Sequence, residues 1–183
     1  MENSTQNLST FSDYALVKGL ESDLISQITS CSKEDFSSLS HLISVINPSA
    51  NSLRELFSLL KQISTRDKIS LSQILSTSPL SNYLENNSKL SPKDKLKKIK
   101  QELQDLRYPE SAKLKNDLHE LSKTLLKSHG IKLHLPEQLE GDCLTLELSF
   151  SSENQLKEQT QKLSALSGDE NLTKLFAMLK GKI

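Results

Sequence analysis

Around Gly130 the hydrophobic period of this chain changes from 3.6 residues to two, which limits what its C-terminal third can become. Upstream, Ala112–Lys127 carries leucines at 114, 118, 121 and 125, one stripe of a helix. Gly130 stands where a helix ends in a left-handed residue. Downstream, Ile131, Leu133 and Leu135 alternate with Lys132 and His134. Leu144, Leu146, Leu148 and Phe150 then alternate with Thr145, Glu147 and Ser149, so each strand has one apolar and one polar face. Ser151 or Ser152 caps a further helix bearing Leu156, Leu163 and Leu166. The order is helix, glycine stop, strand, loop, strand, helix.

The rest of the chain reads as helix. Leu and Ser make up about a third of the 183 residues, Gly and Pro number five each, and Trp is absent. From Ser12, the positions Ala15, Leu16, Leu20, Leu24, Ile25 and Ile28 predict one amphipathic helix ending near Ser30, after a disordered leader over 1–11. Ser32, with Glu34 and Asp35, opens a helix striped by Leu39, Leu42, Ile43 and Ile46, and Asn47-Pro48 stops it. Ser52 and Glu55 form a capping box for a helix bearing Leu53, Leu56, Phe57, Leu60 and Ile63. Ser70 and Gln73 form another, ahead of Leu71–Leu75. These helices predict a bundle over 12–75. Residues 76–90, rich in Ser and Asn, read as a linker to an α+β unit over 91–183, though Leu80, Tyr83 and Leu84 of the linker can form one docked turn. Ser91-Pro92 is a strong helix start, and Leu96, Ile99, Leu103 and Leu106 predict that Pro92–Leu106 pairs with Ser111–Lys127 as a helical hairpin over 92–127. Strands over 131–135 and 143–150 and helices over 152–166 and 170–180 complete the expectation, a mostly helical α+β protein. In the last helix, Leu172, Leu175, Phe176 and Leu179 share a face.

Zero net charge conceals a blockwise distribution. Residues 1–88 hold 6 Lys/Arg against 9 Asp/Glu, residues 89–130 hold 11 against 6, and residues 131–183 hold 6 against 8. The excess centres on Lys89, Lys93, Lys95, Lys97, Lys98 and Lys100. On a helix, Lys93, Lys97 and Lys100 share a face, with Lys95 and Lys98 flanking. Such a ridge can contact phosphates without reading sequence. It holds no Arg, and no exposed aromatics interleave for base stacking.

Catalytic chemistry has little to work with. The chain contains no glycine-rich phosphate loop, G-x-S-x-G elbow or H-E-x-x-H pair. Glu137, Glu140 and Asp142 fall in one hairpin loop, where an exposed setting does not supply the burial that a catalytic carboxylate needs. His134 and Cys143 can face each other across the hairpin, but two ligands without a third make no metal centre. His41 falls at the edge of its helix, and His129 beside Gly130, where a helix dipole favours a cation. The expectation is a protein without enzymatic activity, cofactor or metal. Cys31 and Cys143 have the spacing of reduced thiols, and no apolar run is long enough to span a membrane, so a cytoplasmic setting is expected. The Ser/Thr/Asn/Gln-rich leader also fits the permissive signals of secreted bacterial effectors.

Residues 117–166 resemble the C-terminal dimerisation domain of the ParB family of chromosome-partition proteins. The likeness lies in Leu118, Leu121 and Leu125, Gly130, Lys132 within Ile131–Leu135, Gly141, the strand Leu144–Phe150, the Ser-Ser-Glu cap and Leu156 to Leu163. It implies a dimer in which the second strand pairs across a two-fold axis, with lysines of the exposed sheet face on DNA; Lys132 alone matches such a position. No arginine-rich nucleotide-binding box and no DNA-reading helix pair stand upstream. Two functions follow as expectations. The first is a protein-binding or assembly protein, a homodimer through Leu118, Leu121, Leu125, Leu144, Leu146, Leu148 and Phe150. The second is an accessory protein binding DNA or RNA through Lys93, Lys95, Lys97, Lys98, Lys100 and Lys132.

Overall fold

Serine side chains cap five of the helices at their start. The computed structural model describes residues 2–85, 89–136 and 143–181, and their side chains from Thr10 onward. The fold is mostly helical with one two-stranded antiparallel sheet, and it divides into two units, Met1–Tyr108 and Pro109–Ile183. Unit 1 contains α1 (Glu2–Lys18), α2 (Ser22–Thr29), α3 (Lys33–Ile46), α4 (Ala50–Asp67), α5 (Leu71–Ser76), α6 (Leu80–Leu84) and α7 (Pro92–Arg107). The hydroxyls of Ser32, Ser49, Ser70 and Ser91 each accept the backbone N–H three residues on, satisfying a donor that the helix cannot. Ser70 and Gln73 close the expected capping box. At the start of α4 the cap is Ser49, so the helix begins before the predicted Ser52. In a chain this rich in serine, more than one hydroxyl is available at a helix start, and packing chooses between them.

The apolar stripes meet in one core, except that Leu16 of the first expected stripe and Leu106 near the end of α7 are exposed. Ile28, Leu39, Leu42, Leu53, Leu56, Leu60, Leu71, Ile74, Leu80, Ile99 and Leu103 are among its most buried members. Three expectations are corrected here. First, the leader predicted as disordered over 1–11 is the start of α1, because Phe11 is buried against Phe36 (rings 5.6 Å apart, edge to face). Tyr14 reinforces it: its hydroxyl donates to the Pro48 carbonyl at 2.7 Å, and burial pushes its pKa up to about 12. Second, the single helix expected over 12–30 is two. Gly19 adopts φ 62° while Leu20 N–H reaches the Ala15 carbonyl and Gly19 N–H that of Leu16, a Schellman stop. Third, the linker expected over 76–90 contains α6, whose Leu80 and Leu84 are core residues; Asn86–Ser88 lie outside the described residues.

Helix α7 also belongs to this core, so the division between units falls after Tyr108 and not at 76–90. Ile99 and Leu103 are fully buried, and Arg66 at the end of α4 donates to the carbonyls of Leu106 and Arg107, both at 2.9 Å. Those carbonyls have no partner within their own helix, so one guanidinium fastens the end of α7. The predicted hairpin over 92–127 is therefore not the organising element, since the stripes of α7 and the next helix are buried in separate cores.

Unit 2 contains α8 (Pro109–His129), β1 (Lys132–His134), β2 (Thr145–Glu147), α9 (Glu153–Ser167) and α10 (Glu170–Leu179). Gly130 takes φ 68° and its N–H closes on the Leu126 carbonyl at 2.8 Å, the expected stop. The strands pair Lys132 with Glu147, Leu133 with Leu146 and His134 with Thr145, over a shorter span than the predicted 131–135 and 143–150. Ser152 caps α9, and its neighbour Ser151 binds the Gln155 side chain. The core is small: Leu118, Leu125, Ile131, Leu133, Leu166 and Leu175.

Leu80 lies in a segment that composition reads as linker yet is as buried as Leu56. Leu80→Ala is therefore expected to destabilise the first unit by about 2–5 kcal/mol, like a core truncation. Urea unfolding followed by circular dichroism measures this; a cost within about 0.5 kcal/mol, as for a surface change, would contradict it.

Candidate interaction surface

The second unit leaves much of its apolar surface uncovered. Strand β2 is exposed along its whole length, Leu146 being 38% accessible, and Phe150, three residues beyond it, is 53% accessible. Beside it lies an apolar groove of about 210 Å³, walled by Leu144 and Leu146 from the second strand segment, Leu163 and Leu166 from α9, and Leu172 and Phe176 from α10. Leu156 on α9 and Phe176 on α10 are also exposed. Among the described residues β2 pairs only with β1, so its outer edge presents backbone donors and acceptors.

The expected partner surface is thus divided by the structure. Leu146 and Phe150 are exposed, and Leu144 and Leu148 are half-buried against the core, as is Leu121. Leu118 and Leu125 are fully buried inside the unit and are not surface residues. Their stripe packs against β1 and α10. The alternation in 144–150 marked the right strand. Which helix would cover it was not decidable from periodicity, because α8, α9 and α10 all have apolar stripes.

The polar face of the sheet is a small charge network. Glu147 Oε2 lies 2.7 Å from His134 Nε2 and 3.4 Å from Lys132 Nζ. The His134 hydrogen bond, followed by Lys132, holds the Glu147 carboxyl below its usual range. Lys132, the resemblance's candidate for DNA contact, therefore has a carboxylate beside it. His134 stands opposite Thr145 and not Cys143, as the shorter register requires. No cluster of three or more metal-ligating His, Cys, Asp or Glu side chains occurs among the described residues. Glu137, Glu140 and Asp142 lie outside them.

The lysine ridge is only partly a ridge. Lys95 is buried, its Nζ donating to the Glu85 carbonyl at 3.2 Å. Lys98 lies over the Tyr83 ring at 5.7 Å, and Lys100 is paired with Glu55. Lys89, Lys93 and Lys97 are exposed. Lys95 precedes Ile99 and Leu103 by four and eight residues, so the same 3.6-residue period that marks the core face puts Lys95 on it.

One pair of residues escaped functional notice in the sequence. His129 Nε2 lies 2.7 Å from Asp169 Oδ2, with the two side chains only 14% and 18% exposed. Asp169 also caps α10, accepting the Asn171 N–H through Oδ1 at 2.7 Å. The His129 hydrogen bond, then the Asn171 amide, hold its carboxyl below the usual range. The two residues are 40 apart in the chain, so no local pattern could join them.

No protein-family model, curated protein or solved structure matches the chain. No helix among the described residues is long and apolar enough to cross a membrane.

The lowered folded-state pKa of Asp169 has a definite sign. Its contribution to stability is full above the carboxyl's unfolded pKa and is lost as pH falls through the lowered value. Between about pH 5 and about pH 2.5 the wild type should lose more stability than Asp169→Asn, whose other carboxylates are the same. Denaturant midpoints at the two pH values measure it, and equal losses would show that the pair contributes nothing.

Proposed function

We propose that the protein is a non-catalytic assembly protein that associates with a second copy of itself through the apolar groove and open strand edge of its second unit. The observation that carries this reading is the groove walled by Leu146 and Phe176, beside a strand whose three residues are all exposed. A unit of this size with six buried apolar side chains gains most from covering what remains. An open antiparallel edge suits a two-fold partner, since the same strand on each copy meets itself. The resemblance of 117–166 to the ParB dimerisation domain supports the same arrangement. The proposed setting is cytoplasmic.

A second reading, phosphate binding by a nucleic-acid-associated accessory protein, is supported by the exposure of Lys89, Lys93 and Lys97. It is the weaker reading because Lys95, Lys98 and Lys100 are engaged within their own unit.

Sedimentation velocity of the full chain over a range of concentrations tests the first reading. The wild type is expected to dimerise, and Leu146→Glu combined with Phe176→Glu to weaken dimerisation at least about tenfold, since each buries a charge in an apolar contact. Both positions are partly exposed, so the variant retains its fold. A wild type that stays monomeric at about 100 µM, or a variant that dimerises as well, would overturn the reading.

A further inference from the structure

Helix α10 is an insecure wall. It has ten residues, and only Leu175 is fully buried. A helix so short is marginal on its own in water, so its position must be imposed from outside. Leu175, with the half-buried Leu172, Met178 and Leu179, packs it on the core, and its first turn adds a polar fastening. Asp169 lies in the reversal between α9 and α10, and His129 ends α8 just before the reversal at Gly130. Their contact therefore pins the two reversals to each other. Both helix dipoles favour it, with a basic group at the C-terminus of α8 and a carboxylate at the N-terminus of α10. The other charged groups at the junction are Lys127 on α8, Glu170 on α10 and Lys162 on α9, whose Nζ lies 4.0 Å from where a Cβ on Gly130 would stand.

The choice of residue at 169 points the same way. Where other described helices have a side-chain cap, it is serine: Ser32, Ser49, Ser70, Ser91 and Ser152. A hydroxyl is enough to accept one backbone N–H. Aspartate caps α10 through one oxygen and keeps a second oxygen for His129. Capping alone does not call for that second oxygen.

We propose that His129 and Asp169 form a clamp that seats α10 on α8 and so builds the Leu172–Phe176 wall of the association groove. The two act as positioning residues for that groove. The link to association rests on the self-association reading above; the seating of α10 does not.

Asp169→Ser is the discriminating variant, because serine keeps the cap and removes the partner of His129. His129→Ala removes the other half. In the full chain, amide hydrogen exchange reads the seating of α10 and sedimentation velocity reads association. Both variants are expected to speed exchange in α10 by about tenfold or more, leave α8 protected, and weaken association in parallel. Unchanged protection in α10 would overturn the clamp, as would loss of protection across α8 and α10 together, which is general unfolding. If α10 loosens while association holds, the clamp stands and its link to the groove is wrong. A monomeric wild type would defeat the self-association reading, while the exchange arm would still decide the clamp.

Discussion

Burial of leucine against leucine is the interaction on which both units depend, and the two units achieve it to different degrees. In the first, α1 to α7 close around a core that takes in Phe11, Leu56, Leu80 and Ile99 alike. In the second, six buried side chains support three helices and a two-stranded sheet. A two-stranded sheet is marginal in water without a covered face, and here the apolar side of β2 is only partly covered. The exposed Leu146, Phe150, Leu156 and Phe176 are the counterpart of that small core.

This asymmetry organises the functional account. With a first unit that buries most of its stripes, Leu16 and Val17 excepted, and a second that leaves a groove, the proposed self-association places recognition where burial of the smaller core is incomplete. The strand edge gives such a surface direction, because backbone pairing imposes a register that apolar contact lacks. The groove's shape in turn depends on α10, a short helix held at its start by Asp169 and along its length by Leu175 with the half-buried Leu172, Met178 and Leu179. Polar geometry therefore places an apolar surface.

Much of this was legible in the sequence, and the limits have physical reasons. Gly130 was readable as a stop because a left-handed residue there favours glycine, and Ser32, Ser70, Ser91 and Ser152 were readable as caps. Gly19 carries the same signal, but the apolar positions continue in phase across it and hide the break. Leu80 and Leu84 sit among Ser and Asn, so composition argued linker while long-range packing made them core. Lys95 shows the reverse case: its charge suggested a surface ridge, and its spacing from Ile99 and Leu103 places it on the buried face. For the candidate site, alternation identified Leu146 and Phe150, but which stripes stay uncovered is a property of the packed unit. The His129–Asp169 contact joins residues 40 apart and had no local signature.

If association completes the second unit, as proposed, the stability of that unit is linked to protein concentration by mass action. Thermal unfolding of the full chain, followed calorimetrically over about a hundredfold range of concentration, tests it most directly. The transition of the second unit is expected to move to higher temperature as concentration rises, while that of the first stays in place. Two transitions that both ignore concentration would contradict it.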